Sequence, residues 1–160
     1  LIACDGRSTF ASVLLALDAK ITVSSKQIAE ETINIGDLLP LRDQVRGKLI
    51  TKVVIPLNVK LAFEYVSKTP ADKPIVCAAL AQWNSGRTRL ALGGYGKSPM
   101  LAMDGTESEG VDASTSENTL RSAQAAAKNA FHEANDEWAS AEYRMDVAAT
   151  LAKRCLEGLA

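Results

Sequence analysis

The chain has few aromatic residues, 5% of its 160 positions, and one histidine, His132. Trp83 and Trp138 are single and flanked by polar residues, a pattern that suits core or rim positions better than a stacking platform for bases. His132 lies between Phe131 and Glu133 in a helical stretch with no Ser or Cys nucleophile nearby, so it reads as a solvated or partner-facing side chain and not as a general base. Charge of one sign is also missing. With 18 Lys+Arg against 19 Asp+Glu, the formal charge is -1, which offers no global attraction to nucleic acid or to an anionic membrane surface. No apolar run approaches the roughly 18 residues of a membrane span, and the start at Leu1 has neither a basic nor an apolar leader segment, so neither membrane insertion nor secretion is expected. Cysteines number three. Cys4, Cys77 and Cys155 are far apart, with no CxxC and no adjacent His, which excludes the spacing of zinc or iron–sulfur ligands and predicts buried thiols in a reducing cytosol. No metal is therefore expected, and the predicted location is cytoplasmic. An initiating Met is absent as well, and the chain is expected to be a fragment or a processed product.

What is present is an ordinary globular composition, 47% hydrophobic and 23% charged, sufficient for one domain or two small ones. Residues 9–17, TFASVLLAL, predict a short buried helix with Ser8 or Thr9 as N-cap. Residues 20–23 and 27–35 predict two extended stretches joined by a turn at Ser24-Ser25-Lys26, the second marked by Ile28, Ile33 and Ile35. Gly36 and Pro40 break that pattern, and residues 41–48 read as an exposed connection. Four β-like segments follow at 49–55, 61–66, 75–83 and 88–92, the last two joined by a turn in which Gly86 supplies positive φ. None of the gaps holds a crossover helix, so these segments predict one antiparallel sheet covered on one face by helices. Residues 104–118, with Asp104, Glu107, Glu109, Asp112 and Glu117 and no basic residue, read as a solvated acidic loop. Beyond it, Leu120, Ala123, Ala127, Ala130 and Phe131, and then Tyr143, Val147, Leu151, Cys155 and Leu159, recur at helical spacing. Strands grouped before helices define the expected fold class as α+β.

Two stretches carry candidate chemistry. Residues 91–98, ALGGYGKS, fit a relaxed phosphate-loop pattern, but Pro99 follows at once and residues 100–103 amount to about one helical turn. The long helix that such a loop needs is missing. Gly93 and Gly94 read instead as a strand end where backbones approach closely. Asp5-Gly6-Arg7-Ser8-Thr9 is a polar glycine turn running into a helix, which can be a plain capping turn or can present amides and hydroxyls to an anion.

Read in order, the blocks DGRSTFASVLLALDAKI, INIGDLLP, KLITKVVIP, LAFEYVSKTPADKPIVCAAL, RTRLALGGYGKSPM and ASAEYRMDVAATLAKRCLE resemble the FAD-binding (medium) subunit of the molybdenum hydroxylases, the xanthine dehydrogenase and carbon monoxide dehydrogenase flavoprotein family. The resemblance covers essentially the whole chain. It implies the end of the second FAD-binding lobe over residues 1–56 and the flavoprotein C-terminal domain, antiparallel strands followed by helices, over residues 57–160. The activity it implies is that of the flavoprotein component of a xanthine dehydrogenase-like oxidoreductase, relaying electrons from iron–sulfur clusters through FAD to an acceptor. The implied partners are an iron–sulfur subunit and a molybdopterin subunit. The family's SPxSD-type turn corresponds to Asp5, Gly6, Arg7, Ser8 and Thr9, with Ser8 matching its Ser and Thr9 standing where Asp is usual. A backbone contact to flavin corresponds to Leu49 and Ile50. No catalytic acid, base or nucleophile is implied, because the flavin carries the electron chemistry. The family's glycine loops lie outside these residues, so the isolated chain is expected to bind FAD weakly or not at all and to be inactive. The alternative is a non-catalytic interaction domain that kept the fold and lost the cofactor.

Overall fold

The computed structural model describes residues 1–26, 29–106 and 113–159, apart from the side chains of 113–116. The chain opens with α1 (Thr9–Ala16), β1 (Lys20–Ser24), β2 (Glu31–Asn34) and the single turn α2 (Ile35–Leu38). A short 3-10 turn (Arg42–Val45) leads to β3 (Leu49–Val54). Then come β4 (Val59–Val66), β5 (Val76–Trp83), β6 (Arg87–Gly93) and β7 (Met100–Thr106), followed by α3 (Ala113–Ala130) and α4 (Ala141–Glu157). The α+β fold class is borne out. Helix α1 starts at Ser8, whose backbone is extended and whose side chain accepts from the Ala11 amide, satisfying one of the donors that a helix start leaves free.

Two antiparallel sheets form, in the orders β2-β1-β3 and β4-β5-β6-β7. The expected hairpin of the first two extended stretches is present, pairing Ile21 with Ile33. Its second arm is shorter than expected, since Ile35 begins α2, while Gln27 and Ile28 lie outside the described residues.

The single sheet expected over residues 49–92 is not what forms. Strand β3 pairs with β1, Ile50 opposite Val23 and Leu49 opposite Ser24, and the fourth strand of the second sheet is β7, in the stretch expected to make one helical turn. Met100-Leu101-Ala102-Met103 is a short apolar run, and periodicity cannot tell strand from helix at that length. The second sheet is also covered on both faces. Val76, Ala78, Leu80, Leu90 and Leu92 join α3 and α4 in one core, whereas Ala79, Ala81 and Ala91 join α1 and the first sheet in the other. Alternation along each strand sorts its residues between the two cores. The face toward α1 carries small side chains, and a Cβ on Gly93 would lie 2.6 Å from Ser12 Oγ, so the glycine allows α1 to sit close. This bears out the close-approach reading of the Gly93-Gly94 pair.

The two C-terminal helices are where the periodicity places them, and of the expected α4 stripe Leu151, Cys155 and Leu159 are buried and Val147 packs against the same core, but the buried face is wider than expected and leaves out Tyr143. The buried residues of α4 include Arg144, Ala148, Leu151, Ala152 and Cys155, and Tyr143 is exposed. The acidic loop is corrected at both ends. Asp104 belongs to β7 and is paired with Arg87 and Arg89, and Glu117 lies in α3 and pairs with Arg121. Glu107, Glu109 and Asp112 lie outside the described residues. No helix among the described residues is long and apolar enough to cross a membrane.

Candidate functional site

The 5–9 turn is built by its own side chains. Asp5 Oδ1 accepts from the Arg7 amide at 3.0 Å, and the Ser8 amide donates to the Asp5 carbonyl at 3.2 Å. Gly6 is clamped between strands of loop. Its amide donates to Gly96 O at 2.9 Å and its carbonyl accepts from the Gly94 amide at 2.7 Å, and a Cβ on Gly6 would collide with the Tyr95 carbonyl. The turn therefore rests on the loop after β6, and only glycine permits that contact.

The side chains of Asp5 and Arg7 point into protein partners. Lys73 Nζ lies 2.6 Å from Asp5 Oδ2. Partial burial works against the charged form of Asp5, but Lys73 and the Arg7 amide outweigh it and hold the carboxyl below its ordinary range. Arg7 donates from Nε to Pro74 O at 2.9 Å and from Nη2 to Lys73 O at 2.6 Å. Its guanidinium also lies 4.5 Å from the centre of the Trp138 ring. What remains available at the turn is the hydroxyl hydrogen of Ser8, the exposed hydroxyl of Thr9, and the first two amides of α1, at Thr9 and Phe10, since the Ala11 and Ser12 amides already donate to Ser8.

These groups border an open cleft of about 530 Å³. One side is formed by Ser8, Thr9 and Phe10, the other by Phe63 and Tyr65 of β4 and by the loop that carries Lys73. The two β4 rings are stacked, with centroids 5.9 Å apart. The structure thus brings Asp5, Gly6, Arg7, Ser8 and Thr9 together in one turn, and all but Gly6 line the cleft. Leu49 and Ile50 lie on β3 and are not part of this lining. Leu49 is exposed, and Ile50 packs partly against the core beneath α1.

Sequence reasoning missed the β4 rings and Lys73, because nothing in their local pattern says that β4 and the following loop face the start of α1. It also missed a charge cluster at the far end of α1. Arg89 Nη1 lies 2.9 Å from both Asp18 and Asp104, and Arg87 pairs with the same two carboxylates. The spacing of Arg87 and Arg89 was the available signal, since residues two apart on a strand share a face. Among the described residues, no three of His, Cys, Asp and Glu come together as a metal site. All three cysteines are free thiols, and burial pushes Cys77 up to about 11 and Cys155 up to about 12. His132 is exposed, with Nδ1 2.8 Å from Asn129 O.

Fold and site together define an α+β unit of two antiparallel sheets in which a capped glycine turn borders an aromatic-walled cleft between the start of α1 and β4 of the second sheet. The family model of the CO dehydrogenase flavoprotein C-terminal domain matches residues 61–159. The chain belongs to that family, and its resemblance to the C-terminal portion of a molybdenum hydroxylase FAD-binding subunit is borne out. Among solved structures it is similar to reconstituted CO dehydrogenase from Oligotropha carboxidovorans, at 20% identity and a TM-score of 0.74, covering 97% of this chain and 57% of that one. Quinoline 2-oxidoreductase from Pseudomonas putida 86 is similar at 18% identity and a TM-score of 0.69, with 97% and 56% covered. The carbon monoxide dehydrogenase from Hydrogenophaga pseudoflava that lacks the Mo-pyranopterin moiety is similar at 15% identity and a TM-score of 0.71, with 99% and 58% covered. The chain therefore spans a little over half the length of these solved chains. No curated relative matches the sequence.

Proposed function

We propose that this chain forms one wall of the FAD site in the flavoprotein component of a cytoplasmic molybdenum hydroxylase, with residues 1–56 as the end of the second FAD-binding lobe and residues 57–160 as the C-terminal domain. The observation that carries the reading is the family match over 61–159 in a chain whose preceding turn sits at the start of α1 and borders a cleft. The residues present fit such a cofactor as a single wall. Ser8, Thr9 and the first amides of α1 suit phosphate or ribose oxygens, and Phe63 and Tyr65 offer apolar surface. The Leu49 and Ile50 backbone would add a second contact toward the flavin. FAD, when bound, supplies the electron-carrying chemistry, and the role of the chain is to hold and orient it. In the assembled enzyme, electrons would reach the flavin from an iron–sulfur subunit and originate at a molybdopterin subunit.

The cleft is open, so most amide contacts to a pyrophosphate must come from elsewhere. If their absence removes on the order of 5 kcal/mol, affinity falls by roughly three to four powers of ten. The isolated chain is then expected to be colourless and inactive, and to bind FAD at micromolar strength or weaker. Titration of FAD into the purified chain, read by flavin fluorescence and by amide chemical shifts, tests this. Weak binding that shifts residues 5–10 supports the reading. Submicromolar binding overturns the division of the site, and shifts confined to other residues overturn the assignment of the turn. The alternative, an interaction domain of the same fold without cofactor, draws support from one observation: Asp5 and Arg7 both find their partners within the protein.

A further inference from the structure

Arg7 was expected among the cofactor contacts, yet its guanidinium is taken up by two carbonyls and a ring. The carbonyls of Lys73 and Pro74 belong to the loop between β4 and β5, and the ring is Trp138, in the loop between α3 and α4. Lys68 places its ammonium 4.9 Å from the centre of the same ring. Trp138 is itself held from behind. Its amide donates to Asp136 Oδ1 at 2.8 Å, the Ala139 amide donates to that oxygen at 3.1 Å, and so does Arg144 Nη2 at 2.8 Å. Arg144 is fully buried in α4. A second path leaves the same side chain, since the Arg144 guanidinium lies 5.2 Å from the centre of the Tyr95 ring, and the Tyr95 carbonyl is the group that packs on Gly6. The 5–9 turn is thus braced on both sides by contacts that converge on one buried arginine.

We propose that Trp138 is a positioning residue for the 5–9 turn: it transmits the rigidity of the α3–α4 loop to Arg7, and Arg7 acts as a strut between that loop, the turn and the β4–β5 loop, not as a ligand of the bound dinucleotide. The proposal rests on the reading of the turn as a wall of the FAD site. A planar guanidinium can donate in its plane to two carbonyls while its face covers an indole, which is the combination of contacts Arg7 makes. A Lys at this position has a single nitrogen and could not reproduce donation from both the Nε and the Nη2 positions. The two walls of the cleft, the α1 start and the β4–β5 loop, are joined through this side chain, so their separation depends on it.

Hydrogen exchange of the Gly6, Ser8 and Gly94 amides in the purified chain, without flavin, tests the strut directly. Trp138→Leu should speed their exchange about two- to fivefold, the scale of one lost cation–π contact, while Trp138→Phe should keep most of the protection. Arg7→Met, which removes both carbonyl bonds, should speed exchange by about tenfold. Far-UV circular dichroism checks that each variant is folded, and because Trp138 is partly exposed the fold should survive. Unchanged exchange at the three amides in Trp138→Leu overturns the role of Trp138, and unchanged exchange in Arg7→Met overturns the strut. FAD titrated to millimolar concentration then tests positioning. Weaker binding by Trp138→Leu, restored by Trp138→Phe, supports it, and a turn that loosens with FAD affinity unaltered overturns it. If the parent chain binds no FAD at all, as a single wall of the site allows, the exchange measurement alone decides whether Trp138 and Arg7 brace the turn.

Discussion

Arg144→Ala should lower the stability of the chain by about 2–3 kcal/mol, a value assembled from the contacts of one side chain. Arg144 is 0% exposed. Its Nη1 donates to the buried Ala134 carbonyl at 3.1 Å and its Nη2 to Asp136 at 2.8 Å. Removing the donor leaves the Ala134 carbonyl buried without this partner, which costs about 1–3 kcal/mol. The lost methylene packing and the void it leaves add about 1–2 kcal/mol. The Asp136 bond adds less than a fully buried pair would, because the Asp136 side chain is 28% exposed and water can replace its partner. Two terms oppose the loss. Burial disfavours the charged guanidinium and lowers its pKa, and Nε has no hydrogen-bond partner, so the parent protein already carries a desolvation cost that the variant sheds. For a chain of this length the net loss corresponds to a fall in melting temperature of about 4–12 °C. Urea unfolding followed by circular dichroism gives the free energy directly. Arg144→Met separates the parts, since it retains the stem and loses the donors, and should recover the packing share only. A midpoint for Arg144→Ala equal to that of the parent would refute the account.

Acid should weaken the fold partly through Asp104. Hydrogen bonds from Arg87 outweigh partial burial, and with the Arg89 charge they hold the carboxyl below its ordinary value of 3.8. A folded-state pKa below the unfolded one means stability that is fully present above about pH 4 and is lost as pH falls through the lower, folded value. Asp104→Asn should therefore be less stable than the parent at pH 7 and show a flatter decline in urea midpoints as pH falls below about 4; parallel acid limbs would contradict this. Thiol labelling at pH 8 should modify Cys4 first, because Cys77 and Cys155 are buried with thiols pushed up to about 11 and about 12. Three equivalents reacting at one rate in the folded chain would show that those two thiols are not shielded.

Much of this protein is written locally. Ser8 before TFASVLLAL marks a helix start whatever lies around it, because the capping bond to Ala11 spans three residues. Asn84-Ser85-Gly86 closes a hairpin for the same reason, with Gly86 at φ 81°. The blocks that resemble the flavoprotein family reach the family identity without coordinates, and the polar turn at 5–9 stands out as a candidate site from its composition alone. Local pattern stops at the question of which strand meets which. Whether β3 pairs with β1 or with β4 depends on contacts far apart in sequence, and an apolar run such as residues 100–103 suits either helix or strand until a neighbour supplies hydrogen bonds for one of them. The roles of Asp5 and Arg7 were undecidable for the same reason. A carboxylate and a guanidinium beside a glycine turn can serve a ligand or the protein. Only the arrival of Lys73, Pro74 and Trp138, 66 or more positions away in the chain, gives both side chains protein partners and leaves Ser8, Thr9 and the first helix amides as the uncommitted groups at the cleft.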